Sequence, residues 1–355
     1  MSIIDHEDYK DLKDLAEGIF TQARDNETKT GDVWAELTEL GLARLTGPES
    51  VGGSEAGWGE AATLASAAAA AGVPIPYVET DLLSAWLLDT VGLESCTNIR
   101  TVAQIDDDGY AQAVPWAVQS ERFVLIFGDA DSGWKVAKVK ASDVTTSEYP
   151  AFGREPRANI TVSDAVMAQL REPGNDNVKT LSTAQYQQYL LRGALARSLQ
   201  VVAALETATD LAKEHVVTRN QFGRPLAKFQ SVQNLIVDAV AETALARSAV
   251  DQALQDALDT DLAGPLSVFR VAVAKSVVGR AASVAVRNTH QALGAIGTTE
   301  EHSLHKFTNA AETWRSEYGA IRSWELLLGQ AATAGTTDDV WALVVEGAQL
   351  EGALH

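Results

Sequence analysis

The chain has 355 residues, 46% hydrophobic and 21% charged, which is ordinary globular composition and enough length for two or three packed units. Its formal charge of −20 opposes binding to nucleic-acid backbones and anionic membrane surfaces. A single cysteine, Cys96, excludes an internal disulfide framework and a multi-cysteine zinc site, and fits a reducing cytoplasm.

The amino terminus, "MSIIDHEDYKDLKDLAEGIF", is acidic and mixed, without the basic and apolar regions of a signal peptide. Its apolar residues recur three and four apart, the period of a helix. The longest uncharged run, Ala61 to Val78, is rich in alanine and broken by Gly72, Pro74 and Pro76, so it does not read as a membrane span. Helical patterns therefore fill residues 1–98, interrupted by "TGPESVGGSEAGWG" and "GVPIPY".

From residue 99 to 170 the character changes. "FVLIF", "WKVAKVKA" and "ANITVSDA" are short and β-branched or alternating, and the turn-rich "GDADSG" and "SEYPAFGREP" separate them. These predict a small antiparallel β-domain of about five strands. Residues 171–355 return to long alanine-rich helical patterns, at about 183–220, 226–259, 264–293, 299–332 and 337–350. The expected fold is mainly α: an N-terminal helical domain, a middle β-domain and a C-terminal bundle of long helices. No G-x-G-x-x-G follows a strand and no G-x-S-x-G occurs, which removes dinucleotide-binding α/β folds and nucleophile-elbow hydrolases. Six histidines include no His-Glu-x-x-His run, and only His302 and His305 share a helical spacing, so no metal site is expected.

Two breaks in the helical region draw attention. In "TRNQFGRPLAKFQSVQ" (218–233), Gly223 can end one helix with a positive φ, and Pro225 suits the first turn of the next. That alone makes a plain helical corner. Amide hydrogens of a helix opening near residue 226, with Arg219 beside them, would also make an anion site, and Phe222 offers a flat face to a base. In "HQALGAIGTTEEHSL" (290–304), Gly294 and Gly297 stop a helix, and Thr298 with Glu301 forms a Thr-x-x-Glu capping box for the next. This too reads as a corner, or as glycines that let backbone approach a ligand while Gln291 bonds to it.

Together, in this order and spacing, the two stretches resemble the carboxy-terminal domain of the acyl-CoA dehydrogenase family. "ELGLARLTGPESVGGSEAGWGEAATLASAAAAAGVPIPYVET" resembles its amino-terminal domain, so the likeness covers essentially the whole chain. The resemblance implies FAD as cofactor. It assigns FAD contacts, partly toward a neighbouring subunit, to Arg219, Gln221, Phe222, Phe229, Gln291, Gly294 and Ala295, where Ala295 replaces a family glycine. It also implies an acyl-CoA substrate and an electron acceptor such as electron-transfer flavoprotein.

Two departures stand out. The family's flavin-ring segments have no clear counterpart, and "AVPWAVQSERFVLIF" stands in their place, with Trp116 as a buried anchor or a flavin neighbour. The reaction also needs a carboxylate to take the α-proton while hydride passes to the flavin. The family's base precedes a glycine, and an ungapped count from Gln291 puts Tyr318-Gly319 there, with Glu317 one residue earlier, about 100° around a helix. The alternative base position aligns near Gly193. Both departures resemble the short subunits of actinobacterial heteromeric acyl-CoA dehydrogenases, linked to steroid breakdown. The expectation is an α₂β₂ assembly in which a longer partner completes the FAD site and supplies the base. A homotetramer using Glu317 and a flavin-free scaffold subunit are the alternatives.

Overall fold

The computed structural model describes residues 2–334 and 337–350. The chain opens with two 3₁₀ turns and helix α1 (Lys10–Asp25), whose Ala16, Ile19, Phe20 and Ala23 are buried at helical spacing. Helices α2 (Thr30–Glu39) and α3 (Trp58–Ala71) follow. Next comes a π-helical stretch, Val78–Ala85, that runs into α4 (Trp86–Thr90). All eight residues of the π stretch are buried, including Glu79 and Asp81. Arg44 explains Asp81: its guanidinium pairs with the carboxylates of Asp81 and Asp89, while the Thr46 amide donates to Asp81 at 3.1 Å. Buried charges persist only when paired and hydrogen-bonded in this way.

The middle region holds β1 (Arg100–Gln104), β2 (Tyr110–Pro115), β3 (Arg122–Asp129), β4 (Gly133–Lys140), β5 (Val144–Glu148) and β6 (Arg157–Val162). Helix α5 (Asp164–Arg171) and β7 (Val178–Leu181) complete it. Two sheets form, ordered β1-β3-β4-β7 and β2-β6-β5. The expectation of about five antiparallel strands needs correcting: these are seven strands, β7 lies past residue 170, and β1 pairs with β3 in parallel. Strand β2 belongs to the second sheet, where its pairing with β6 shifts register between Ala111 and Val114, and β1 and β3 lie side by side in the first. Phe123, Leu125, Ala137, Ile160 and Val162 form the apolar core between them.

The remainder is helical: α6 (Thr183–Thr218), α7 (Gln230–Thr260), α8 (Ser267–Leu293), α9 (Leu304–Trp314), α10 (Ile321–Thr333) and α11 (Thr337–Glu346). The short strands β8 (Asn220–Gln221) and β9 (Arg224–Pro225) interrupt the run between α6 and α7. The helix expected over 299–332 is thus two helices with a turn at 315–320, where Tyr318 (φ 54°) and Gly319 (φ 111°) are left-handed. A side chain at 319 would meet the Trp324 indole 2.5 Å away, so glycine is required there on two counts. By its contacts the chain forms two units, residues 27–61 with 74–193, and residues 2–26 with 62–73 and everything from 194 onward.

Candidate functional site

All seven residues assigned to FAD by the resemblance, and Glu317, lie in the second of these units. The first break is not a helix corner. Helix α6 stops at Thr218, and residues 219–226 form a two-residue β-hairpin in which Phe222 (φ 52°) and Gly223 (φ 80°) occupy the tip. A positive φ at both central residues is what a right-twisted two-residue hairpin demands, and it is costly for phenylalanine. Leu226 N–H closes the hairpin on Arg219 O at 2.9 Å, so that amide is not free for an anion. Leu226–Lys228 is a 3₁₀ turn, and the helix start expected near 226 moves to Gln230. Proline 225 therefore sits in a strand, not in a first helical turn.

The hairpin presents its side chains outward. Phe222 is 88% exposed and meets Phe229 edge-on, with ring centroids 6.1 Å apart. Arg224 lies over the other aromatic ring, its guanidinium carbon 4.2 Å from the Phe229 centroid. This stacking residue was not singled out in the sequence, because cation–π contact depends on the hairpin geometry. Arg219 and Gln221 are exposed, and neither side chain makes a hydrogen bond or ion pair among the described residues.

The second break lies at the end of α8. Gln291 is exposed on its last turns, and Gly294 (φ 67°, ψ −143°) ends the helix in a conformation open to glycine alone. Gly294–Thr298, with exposed Ala295, is a 3₁₀ turn. The expected capping box does not form: Thr298 Oγ1 donates back to Ala295 O at 2.8 Å, and α9 begins only at Leu304. Asn288 Nδ2 donates to Leu235 O at 3.1 Å, which ties the end of α8 to the early turns of α7. His302 meets His215 edge-on at 6.4 Å, one turn before Arg219. Burial, first, and then the neighbouring His302 and Arg219 hold the His215 imidazole below its usual range. The two motifs are thus rooted side by side, although no hydrogen bond joins the side chains of Arg219, Gln221, Phe222 and Phe229 to those of Gln291 and Ala295 among the described residues. His302 Nδ1 accepts from Leu304 N–H at 3.1 Å and His305 Nδ1 faces His302 O at 2.8 Å, and no group of three or more metal-ligating side chains occurs among the described residues.

Glu317 stands apart from both motifs, in the turn after α9. The helix used to place it is interrupted there, so the 100° offset from residue 318 has no helix to act through. Its Oε2 accepts from Arg197 Nε at 2.7 Å, and Arg197, on α6, is fully buried beneath it. Arg197 Nη1 also donates to Gln200 Oε1 at 2.7 Å. Lys275, on α8, donates from Nζ to the carbonyls of Arg315 (2.9 Å) and Glu317 (2.7 Å). Burial pushes the Lys275 ammonium down to about 8, with Glu317 opposing that shift and Arg197 adding to it. Sequence reading missed Arg197 and Lys275, since 120 and 42 residues separate them from Glu317. Trp116 is fully buried in the other unit, as an anchor is, with a positive φ of 59°.

Residues 12–96 match the acyl-CoA dehydrogenase N-terminal domain and residues 183–321 match the C-terminal domain of the same family. The protein belongs to the acyl-CoA dehydrogenase family. The chain is 26% identical over 305 residues to the acyl-CoA dehydrogenase FadE34 of Mycobacterium tuberculosis, a match covering 82% of this chain. It spans only 41% of the length of FadE34. In fold it is similar to a chain of the ChsE4-ChsE5 complex from Mycobacterium tuberculosis (TM-score 0.81, 19% identity, covering 95% of this chain and 100% of that one). It is likewise similar to the Tcur3481-Tcur3483 steroid ACAD (TM-score 0.76, 20% identity, covering 96% and 98%). Among the described residues no helix is long and apolar enough to cross a membrane.

Proposed function

We propose that this chain is the short subunit of a heteromeric, FAD-dependent acyl-CoA dehydrogenase, in which a longer family member completes the FAD site and supplies the catalytic base. The observation that carries the reading is the hairpin: a strained, largely exposed Phe222, met edge-on by Phe229, with the exposed Arg219 at the hairpin's base. Backbone strain of this kind persists where it serves a ligand. The donor set fits FAD: a guanidinium suits a pyrophosphate, and an exposed ring suits an adenine face. Arg219, Gln221, Phe222 and Phe229 would hold one part of the adenylate, and Gln291, Gly294 and Ala295 another. Bound FAD would accept the hydride from the β-carbon of the acyl thioester.

Glu317 supports a base supplied in trans. Accepting a proton on its carboxylate would neutralise the anion that is ion-paired with the buried Arg197, which is disfavoured. An exposed face of α7 supports assembly: Val237, Val240 and Leu245 lie along it with Ala241 and Ala244, and such apolar stripes mark protein contacts. So does FadE34, where more than half of the protein lies beyond the stretch matched here. The two named structures support a heteromeric partner, here read as α₂β₂, and, in one case, a steroid-derived acyl group. The three-zone division at 1–98, 99–170 and 171–355, a cytoplasmic site of action and an electron-transfer flavoprotein as acceptor belong to the same proposal.

The test is the visible flavin absorbance of the chain purified alone and co-expressed with a longer family member. Little FAD alone and one FAD per heteromeric site is the expected outcome. A yellow, active homo-oligomer would overturn the heteromer in favour of a self-sufficient tetramer.

A further inference from the structure

Arg100 opens β1 and is 2% exposed. Its Nη1 reaches Glu94 O at 3.5 Å, its Nη2 donates to the sulfur of Cys96, and its Nε has no hydrogen-bond partner. Among the described residues no carboxylate lies within ion-pair reach of it. The charged side chains that act on it besides Cys96 are Arg122 and Arg44, both cations, and burial holds the guanidinium below the ordinary arginine range. A buried cation without a counter-ion is costly, and the Cys96 sulfur is the side-chain acceptor in contact with it. Cys96 is itself only partly buried. Its thiol donates to Asn98 Oδ1 at 2.9 Å, and Asn98 in turn is tied to Glu121. An accessible thiol against an arginine is the setting in which cysteines react.

We propose that Cys96 is a peroxide-reactive thiol whose oxidised, oxygen-bearing form is held by the buried guanidinium of Arg100. The sulfur attacks one oxygen of hydrogen peroxide, the S–O bond forms and the O–O bond breaks. The departing hydroxide takes up the thiol proton and leaves as water. Sulfur loses two electrons, and peroxide gains them. The new oxygen is carried on the sulfur that Arg100 Nη2 already contacts, so the guanidinium can donate to it. This site does not depend on the flavin reading, since Cys96 lies in the unit that holds none of the assigned FAD contacts.

Cys96 is the only cysteine in the chain, so thiol labelling of the full-length protein reports it alone. Protein treated with hydrogen peroxide at neutral pH in the presence of dimedone should gain one adduct by intact-mass spectrometry. It should form at least about tenfold faster than on glutathione treated alike, as an arginine-flanked thiol requires. Cys96→Ser should gain none, Arg100→Met should fall to the glutathione rate, and Arg100→Lys should keep most of the reactivity. A wild-type rate equal to that of glutathione overturns the proposal, and it does so even if the Arg100 variants fail to fold. A folded Arg100→Met that reacts as fast as wild type overturns it as well.

Discussion

The Nε of Arg197 and the Oε2 of Glu317 lie 2.7 Å apart, joining the middle of a 36-residue helix to a turn that two left-handed residues close. This pairing decides what Glu317 can do. A carboxylate bound to a fully buried guanidinium is held in place, and it gives up the charge of that ion pair if it takes a proton.

Glu317→Gln keeps the size of the side chain and part of its bonding to Arg197. With the base in the partner, flavin reduction by acyl-CoA in the assembled enzyme should stay within a few-fold of wild type. A general base contributes a factor on the order of 10²–10⁴, so stopped-flow flavin reduction separates the two cases. A loss of that size with FAD fully bound would return the base to Glu317.

Arg219→Ala should weaken FAD retention by about 2–4 kcal/mol, the scale of a charge-assisted contact in a partly desolvated site. Arg219→Lys should recover only part, because an ammonium lacks the planar fork. Both variants should unfold as wild type does, since the side chain is exposed and unbonded within the chain. Equilibrium dialysis against FAD, read beside thermal melts, checks the two statements separately.

Phe222→Gly should release strain at a left-handed position and remove a ring that buries little within the chain. The melting temperature should hold or rise while FAD affinity falls. A drop in stability as large as that of a core substitution would mean that the ring packs within this chain in solution.

Lys275 carries a pH dependence whose sign is fixed. Its folded-state pKa of about 8 lies below the ordinary 10.5, so the unfolded chain holds this proton more tightly. The penalty for a buried ammonium is therefore present in full below pH 8 and is relieved as pH rises from 8 to 10.5. Relative to Lys275→Met, wild type should gain up to about 3 kcal/mol over that window and nothing below it. Urea unfolding of both proteins at a series of pH values measures the difference. A difference that stays flat, or that moves against wild type with rising pH, would show that the side chain is not buried as an ammonium.

Gly319→Ala should destabilise by an amount on the order of 2–4 kcal/mol, because the added carbon meets the Trp324 indole at a φ that disfavours any side chain. Calorimetry reads the loss directly. Gly329→Ala is the control, since an added carbon there meets nothing within 4 Å.

The order of helical, β and helical zones was legible in the sequence because it rests on local signals. Helical period, β-branched runs and turn residues each act over a few positions, and the two glycine-bearing breaks could be read as interruptions. The same local character limited what could be read. Gly223 was recognisable as a position of positive φ and Gly294 as a helix stop, yet Phe222 sharing the left-handed conformation, and so making a hairpin rather than a corner, depends on pairing Asn220 with Pro225. The parallel pairing of β1 with β3 and the turn at 315–320 likewise left no periodic mark. Arg197 and Lys275 read as ordinary helical residues, because their roles come from groups 120 and 42 positions away. Only the tertiary structure joins Glu317 to a buried arginine, since a local pattern records what a segment can form and not what distant charge will meet it.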